Sequence, residues 1–177
     1  MKLMDKVQDV IKAPLSSEQL AMRYRDLCDD PCFANVPGKI EIDVWGRMVM
    51  SPPGTYHALV QGRLCHRLAV LGGEPLGEAA IATAMGLFVT DAGWASAEFI
   101  RLHRGESPFM TAPELCVEIA SPSNSAKEME EKVAAYLGAG AQEVWILYLQ
   151  SKRCEFYGHQ GLLQQSRFPV DLSDLFK

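Results

Sequence analysis

The chain has 177 residues, with 17 Lys plus Arg against 22 Asp plus Glu, a formal net charge of −5 and 48% hydrophobic residues. This describes one soluble domain with a core of its own and excludes disorder, collagen or coiled coil for the chain as a whole. The acidic balance excludes a histone-like polybasic binder, which needs many Lys and Arg against phosphates, but not an enzyme that meets nucleic acid through metal ions.

No stretch reaches the roughly 20 apolar residues that cross a bilayer, so no membrane partner is expected. The N-terminal run MKLMDKVQDVIKAPL is broken by Asp5, Lys6, Gln8 and Asp9, unlike a secretory signal, and a cytoplasmic location is expected by default. The cysteines Cys28, Cys32, Cys65, Cys116 and Cys154 form no CxxC motif and read as reduced thiols.

Ser16 with Gln19 resembles a capping box. Leu20, Tyr24, Leu27 and Cys28 follow at helical spacing up to the turn Asp29-Asp30-Pro31, predicting a helix at the domain's edge. From Lys39 to Met50, Ile40, Ile42 and Val44 alternate with Glu41 and Asp43, and the run after Gly46 completes a hairpin or bulged strand pair. Tyr56 to Leu71 reads as an amphipathic helix with Val60, Leu64, Leu68 and Leu71 on one face and Gly72-Gly73 as its exit. Strands are predicted around Glu78 to Thr83, Leu87 to Asp91 and Glu114 to Ala120. A second capping box, Ser125 with Glu128, starts a helix carrying Met129, Val133, Tyr136 and Leu137, which Gly138 and Gly140 stop. Glu143 to Leu149 reads as a buried strand pairing with Arg153 to Tyr157, and a short helix or coil at Asp171 to Phe176 closes the chain. The order predicts a layered α/β fold around a central sheet.

In the strand Leu115 to Ala120, Glu118 shares its face with Cys116 and Ala120, opposite Leu115, Val117 and Ile119. A carboxylate among such neighbours requires a cation, either a surface Lys or Arg at a strand end or a functional one. Asp91 ends the strand from Leu87 and either starts a turn or converges with Glu118. Two acids on neighbouring strands are the oxygen set that hard divalent cations such as magnesium prefer. Lys132 and Tyr136 stand four apart on the next helix and share a face. Lys132 is either solvated or returned beside Glu118, where its ammonium can orient an attacking water and offset phosphoryl charge. Glu41 is a third ligand or the solvent face of a half-exposed strand, and His57 is a phosphate contact or a first-turn residue. The chain has no GxxxxGK[ST], GxGxxG after a strand, GxSxG or HExxH motif, so the corresponding nucleotide, redox, serine-hydrolase and zinc chemistries lack their parts.

Several segments together resemble the Uma-type putative restriction endonuclease family of the PD-(D/E)XK nuclease superfamily. They are Gly46 to Pro53 with His57, Gly86 to Asp91 with Trp94 to Ser96, Pro113 to Asn124, and Glu130 to Trp145. The match runs from Lys39 to Tyr157 and is most specific between Pro113 and Trp145. The resemblance implies a restriction-endonuclease-like core, a central mixed β-sheet flanked by helices, in residues 39–177, with residues 1–38 as a helical N-terminal extension packed on it. It implies magnesium-dependent phosphodiester hydrolysis in DNA, with Mn2+ able to substitute. Asp91 and Glu118 match the metal-binding acids, joined by the backbone carbonyl of Ile119. Lys132 matches a catalytic lysine moved to the helix, since Ala120 stands where the superfamily pattern usually has Lys. Glu41 matches an acidic position early in the core, Tyr136 supports Lys132 or packs, and His57 faces substrate. Thr90 and Phe88 depart from the family's usual Pro and polar residue. A homodimer is expected of an enzyme that cuts both strands. The alternative is a non-catalytic binding or assembly module that keeps the fold and pairs through the strand Val144 to Leu149.

Overall fold

A computed structural model describes residues 13–33, 38–51, 54–122 and 124–177. Residues 1–12 and 34–37 of the expected N-terminal extension, and the turn residues Pro52, Pro53 and Ser123, lie outside that set. Helix α1 (Ser17–Asp29) opens with the expected capping box: the Gln19 N–H donates to the Ser16 hydroxyl while the Ser16 N–H donates to the Gln19 side chain. Two donors that a helix start leaves open are thereby satisfied. The hairpin follows as β1 (Lys39–Asp43) and β2 (Met48–Ser51), antiparallel with Ile42 opposite Met48. Helix α2 (Thr55–Leu68) places Val60, Leu64 and Leu68 in a buried stripe. It stops three residues earlier than expected because Ala69–Leu71 tightens into a 3-10 turn before Gly72 and Gly73, both with φ of 70°.

Then come β3 (Glu74–Gly77), β4 (Ala80–Thr83), β5 (Gly86–Val89), β6 (Ala92–Ala95), α3 (Ala97–Leu102) and β7 (Leu115–Ala120). The chain continues through α4 (Ala126–Gly138), β8 (Glu143–Tyr148), β9 (Arg153–Gly158) and β10 (Gly161–Leu163), and of the helix or coil expected near Asp171 to Phe176 it forms coil and turns. Strands β3 and β6, helix α3 and strand β10 go beyond the sequence expectations. β3 contains Pro75 and β6 reads Ala-Gly-Trp-Ala, patterns with little strand propensity. Tertiary pairing decides them: β6 is held on both sides by β3 and β7, and β3 is an edge strand, where Pro is tolerated.

Two sheets result, one of four strands in the order β2-β1-β5-β4 and one of six in the order β10-β9-β8-β7-β6-β3. Only β7 and β8 run parallel among the pairs of the described residues, and α4 is the crossover that a parallel pair requires. Alternation in these two strands separates the core. Leu115, Val117, Ile119, Trp145 and Leu147 pack against Val60, Leu64 and Leu68 of α2. Cys116, Ala120, Val144 and Ile146 pack on the other face against Met129 and Tyr136 of α4 and Ile81 of β4. Helix α1 covers the four-stranded sheet with Leu20 and Ala21 against Ile42, Ala82, Leu87 and Val89. The strand from Val144 to Leu149 is therefore not available as a dimer face: β8 lies between β7 and β9, and Val144 to Leu147 are at most 1% exposed. All five cysteines are free, and no helix of the described residues is long and apolar enough to cross a membrane.

Candidate active site

Glu118 sits in the middle of β7 on the face that α4 covers, and only 3% of it is exposed. Because α4 carries the chain from β7 back to β8, one of its faces returns over Glu118. Lys132 and Tyr136, one turn apart on that face, both reach it. The Tyr136 hydroxyl donates to Glu118 Oε1 at 2.6 Å and the Lys132 ammonium donates to Oε2 at 3.0 Å. Lys132 donates again, at 2.8 Å, to Glu41 Oε1, which also accepts the Val89 N–H at 3.0 Å. Glu41 is thus buried and bound to Lys132, and the solvent-face reading of its strand does not hold.

Asp91 lies past the end of a strand instead of ending one. β5 stops at Val89, and Asp91 occupies the link to β6, where the chain passes from the four-stranded to the six-stranded sheet. Its N–H donates to the Val117 carbonyl at 3.0 Å, which registers it beside β7. Its Oδ2 accepts the Ile119 N–H at 2.6 Å and lies 3.2 Å from His57 Nε2. Its Oδ1 accepts the Lys39 ammonium at 2.6 Å. Lys39 also donates to the Val89 carbonyl at 2.9 Å and stands 3.7 Å from Glu118 Oε2. The N–H and carbonyl of one strand residue point to the same side, so the Ile119 carbonyl faces the Asp91 edge of β7.

The charges set one another. Burial opposes ionisation of Asp91, but the His57 hydrogen bond and the Lys39 ammonium outweigh it and hold its carboxyl down to about 2. Burial dominates at Glu118 and pushes its carboxyl up, with Lys132 and Lys39 offsetting part of the effect. Burial by itself would lower the Lys132 ammonium, but the charges of Glu118 and Glu41 prevail and raise it, so the group stays protonated. Burial and then the Glu118 charge raise the Tyr136 phenol, which remains a neutral donor.

These groups face a cleft of about 600 Å³, lined by Lys39, His57, Gln61, Asp91, Glu118 and Lys132. Glu41 and Tyr136 stand behind that wall. The structure therefore brings Asp91, Glu118, Ile119, Lys132 and His57 to one cleft, with Glu41 and Tyr136 holding Lys132 and Glu118 from inside. Sequence reasoning missed Lys39 as a site residue. Its signal was present, since it lies two residues before Glu41 and so shares its pleat face. Phe88 packs edge-on against Tyr136 with ring centroids 6.1 Å apart, and the Lys132 ammonium stands 5.7 Å from the Phe88 ring centroid. The residue that departs from the family pattern is a wall for the lysine. At the other departure, the Thr90 N–H donates to the Ala79 carbonyl at 3.0 Å, a bond that Pro cannot make.

A hard divalent cation fits this donor set. Among the described residues no three His, Cys, Asp or Glu side chains are grouped around one point. Magnesium, however, commonly takes only one or two carboxylates and completes its shell with water and phosphate oxygens. Asp91 and Glu118 supply two carboxylates, and the Lys39 ammonium against Asp91 Oδ1, Val89 O and Glu118 Oε2 marks a pocket of oxygens suited to positive charge.

Among curated proteins none matches this chain. Among solved structures, one titled as a "putative nuclease belonging to DUF820" from Anabaena variabilis ATCC 29413 is similar in fold. Its TM-score is 0.65 and its identity 17%, over 92% of this chain and 98% of that one. Residues 23–175 match the model of the Uma2 family, described as "Putative restriction endonuclease". With nearly its whole length covered, the chain belongs to that family.

Proposed function

We propose that this chain is a divalent-cation-dependent endonuclease that hydrolyses phosphodiester bonds in DNA, with Mg2+ as its ion and Mn2+ able to replace it. The observation that carries the reading is the pair Asp91 and Glu118, each 3% exposed, on the wall of a cleft beside the Lys132 ammonium. Buried ion pairs contribute little net stability, and apolar residues of the same volume usually serve a core as well or better. Lys39, Asp91, Glu118 and Lys132 on the wall of one cleft, with Glu41 behind them, are therefore better explained by chemistry than by folding. Membership of a family described as "Putative restriction endonuclease" supports the same reading.

In this reading Asp91 and Glu118 hold the cation, with the Ile119 carbonyl as a third oxygen. When bound, a divalent cation polarises the phosphodiester and makes water a competent nucleophile near neutral pH. The charges of Glu118 and Glu41 favour the protonated form of Lys132, which acts here as a hydrogen-bond donor. Its N–H groups orient the attacking water and offset charge on the phosphoryl oxygens. Glu41 aims Lys132, and Tyr136 fixes the Glu118 carboxylate. His57, with 22% of its side chain exposed, donates to a substrate phosphate at the rim.

The test is cleavage of supercoiled plasmid by the wild type and the Asp91→Asn and Glu118→Gln variants, with Mg2+ or Mn2+ and with chelator. Metal-dependent cleavage is expected in the wild type, falling at least about 100-fold in each folded variant. Equal cleavage by all three proteins contradicts the reading. No cleavage with either metal favours the non-catalytic module.

A further inference from the structure

Lys39 takes no part in the mechanism above, yet it fills the position that the mechanism assigns to the cation. Its ammonium is held by three oxygens, Asp91 Oδ1 at 2.6 Å, Val89 O at 2.9 Å and Glu118 Oε2 at 3.7 Å. Lys132 is different: it meets Glu118 from α4 and is anchored behind by Glu41. A dication held by the Asp91 and Glu118 carboxylates would crowd the Lys39 ammonium that contacts both, and two close positive charges repel strongly away from bulk water. One of them must leave. Lys39 is able to do so, because it starts β1 directly after Gly38, which has a φ of 89°, and its side chain lies on the cleft wall with 13% exposure.

We propose that Lys39 is a tethered competitor for the divalent cation: its ammonium seats between Asp91 and Glu118 in the metal-free protein and swings into the cleft when the cation binds. This rests on the reading of Asp91 and Glu118 as cation ligands. The tethered ammonium places positive charge between two buried carboxylates and offsets their mutual repulsion, alongside the Lys132 and Tyr136 donors on Glu118 and the Ile119 N–H on Asp91. The same contact weakens cation affinity, since part of the binding free energy goes into breaking it. Once displaced, the ammonium stands on the cleft wall where a substrate phosphate can accept its hydrogen bonds, so substrate phosphate and cation favour each other's binding.

Calorimetric Mn2+ titration of the wild type, Lys39→Met and Asp91→Asn, without nucleic acid, tests the competition. Lys39→Met is expected to bind Mn2+ about tenfold more tightly than the wild type, and Asp91→Asn to lose binding. Amine labelling of the wild type, read by mass spectrometry, needs no folded variant. Mg2+ is expected to raise labelling of Lys39 severalfold while leaving Lys127, whose side chain is 83% exposed, unchanged. If Mg2+ leaves Lys39 labelling flat and Lys39→Met binds Mn2+ no more tightly, while Asp91→Asn still abolishes binding, the competitor role is overturned and the cation-ligand reading survives. Absence of Mn2+ binding in both the wild type and Lys39→Met overturns the two together.

Discussion

Each oxygen of the buried Glu118 carboxyl has a donor, Tyr136 on Oε1 and Lys132 on Oε2. Tyr136→Phe leaves Oε1 unsatisfied with the shape of the side chain preserved, and is expected to cost about 1–3 kcal/mol in urea unfolding. Removing the Lys132 ammonium strands two carboxylates and is expected to cost more, about 3–5 kcal/mol. A ranking in which Tyr136→Phe costs as much as Lys132→Met would contradict this division of labour. Asp91 is the pH-sensitive member. Its carboxyl falls from 3.8 to about 2 on folding, so it contributes stability above its unfolded value that is lost as pH drops through the folded one. The span corresponds to about 2 kcal/mol, lost between about pH 4 and pH 2. Glu118, shifted upward from 4.5, acts in the opposite sense and in a separate window, its contribution falling as pH rises above its unfolded value. Asp91→Asn in the metal-free protein is expected to flatten that acid limb, measured as unfolding midpoint against pH; an unchanged limb contradicts the assignment.

Position along β6 and β7 decides whether these residues meet at all. Gly93 pairs with Cys116, and a Cβ at residue 93 would stand 2.8 Å from the Leu115 carbonyl, too close for any side chain. Gly93→Ala is therefore expected to push β6 from β7 and lower the melting temperature by several degrees, about 2–4 °C for each kcal/mol lost at this chain length. An unchanged melting temperature contradicts the close approach. The elements that position the cation pair differed in legibility. β7 and α4 could be read from the chain because Leu115, Val117 and Ile119 alternate cleanly and Ser125 with Glu128 caps the helix, and both caps and alternation are local. β6 could not, since Ala92-Gly93-Trp94-Ala95 becomes a strand only between two neighbours. Asp91 was consequently assigned to the end of a strand when it belongs to the crossing between sheets.

At the scale of the molecule, the site lies where the two sheets join. Glu41 and Lys39 come from one sheet, Glu118 from the other, Asp91 from the link between them, and Lys132 from the helix packed on both. Side-chain types and spacing marked Asp91, Glu118 and Lys132 as candidates with structural alternatives open, Glu118 most sharply because a carboxylate among apolar or small neighbours demands a partner, and the family resemblance chose between the alternatives. Lys39 was not selected, since its partners Val89, Asp91 and Glu118 are 50 or more residues away and the pleat face it shares with Glu41 is the one local feature that separates it from a solvated lysine. The account rests on Asp91 and Glu118 gripping one cation together. Anomalous diffraction from crystals soaked in Mn2+ measures this directly. The expected result is a peak bonded to both carboxylates, with the Lys39 ammonium moved away; crystals with Mn2+ bound elsewhere, or with no peak between Asp91 and Glu118, would contradict it.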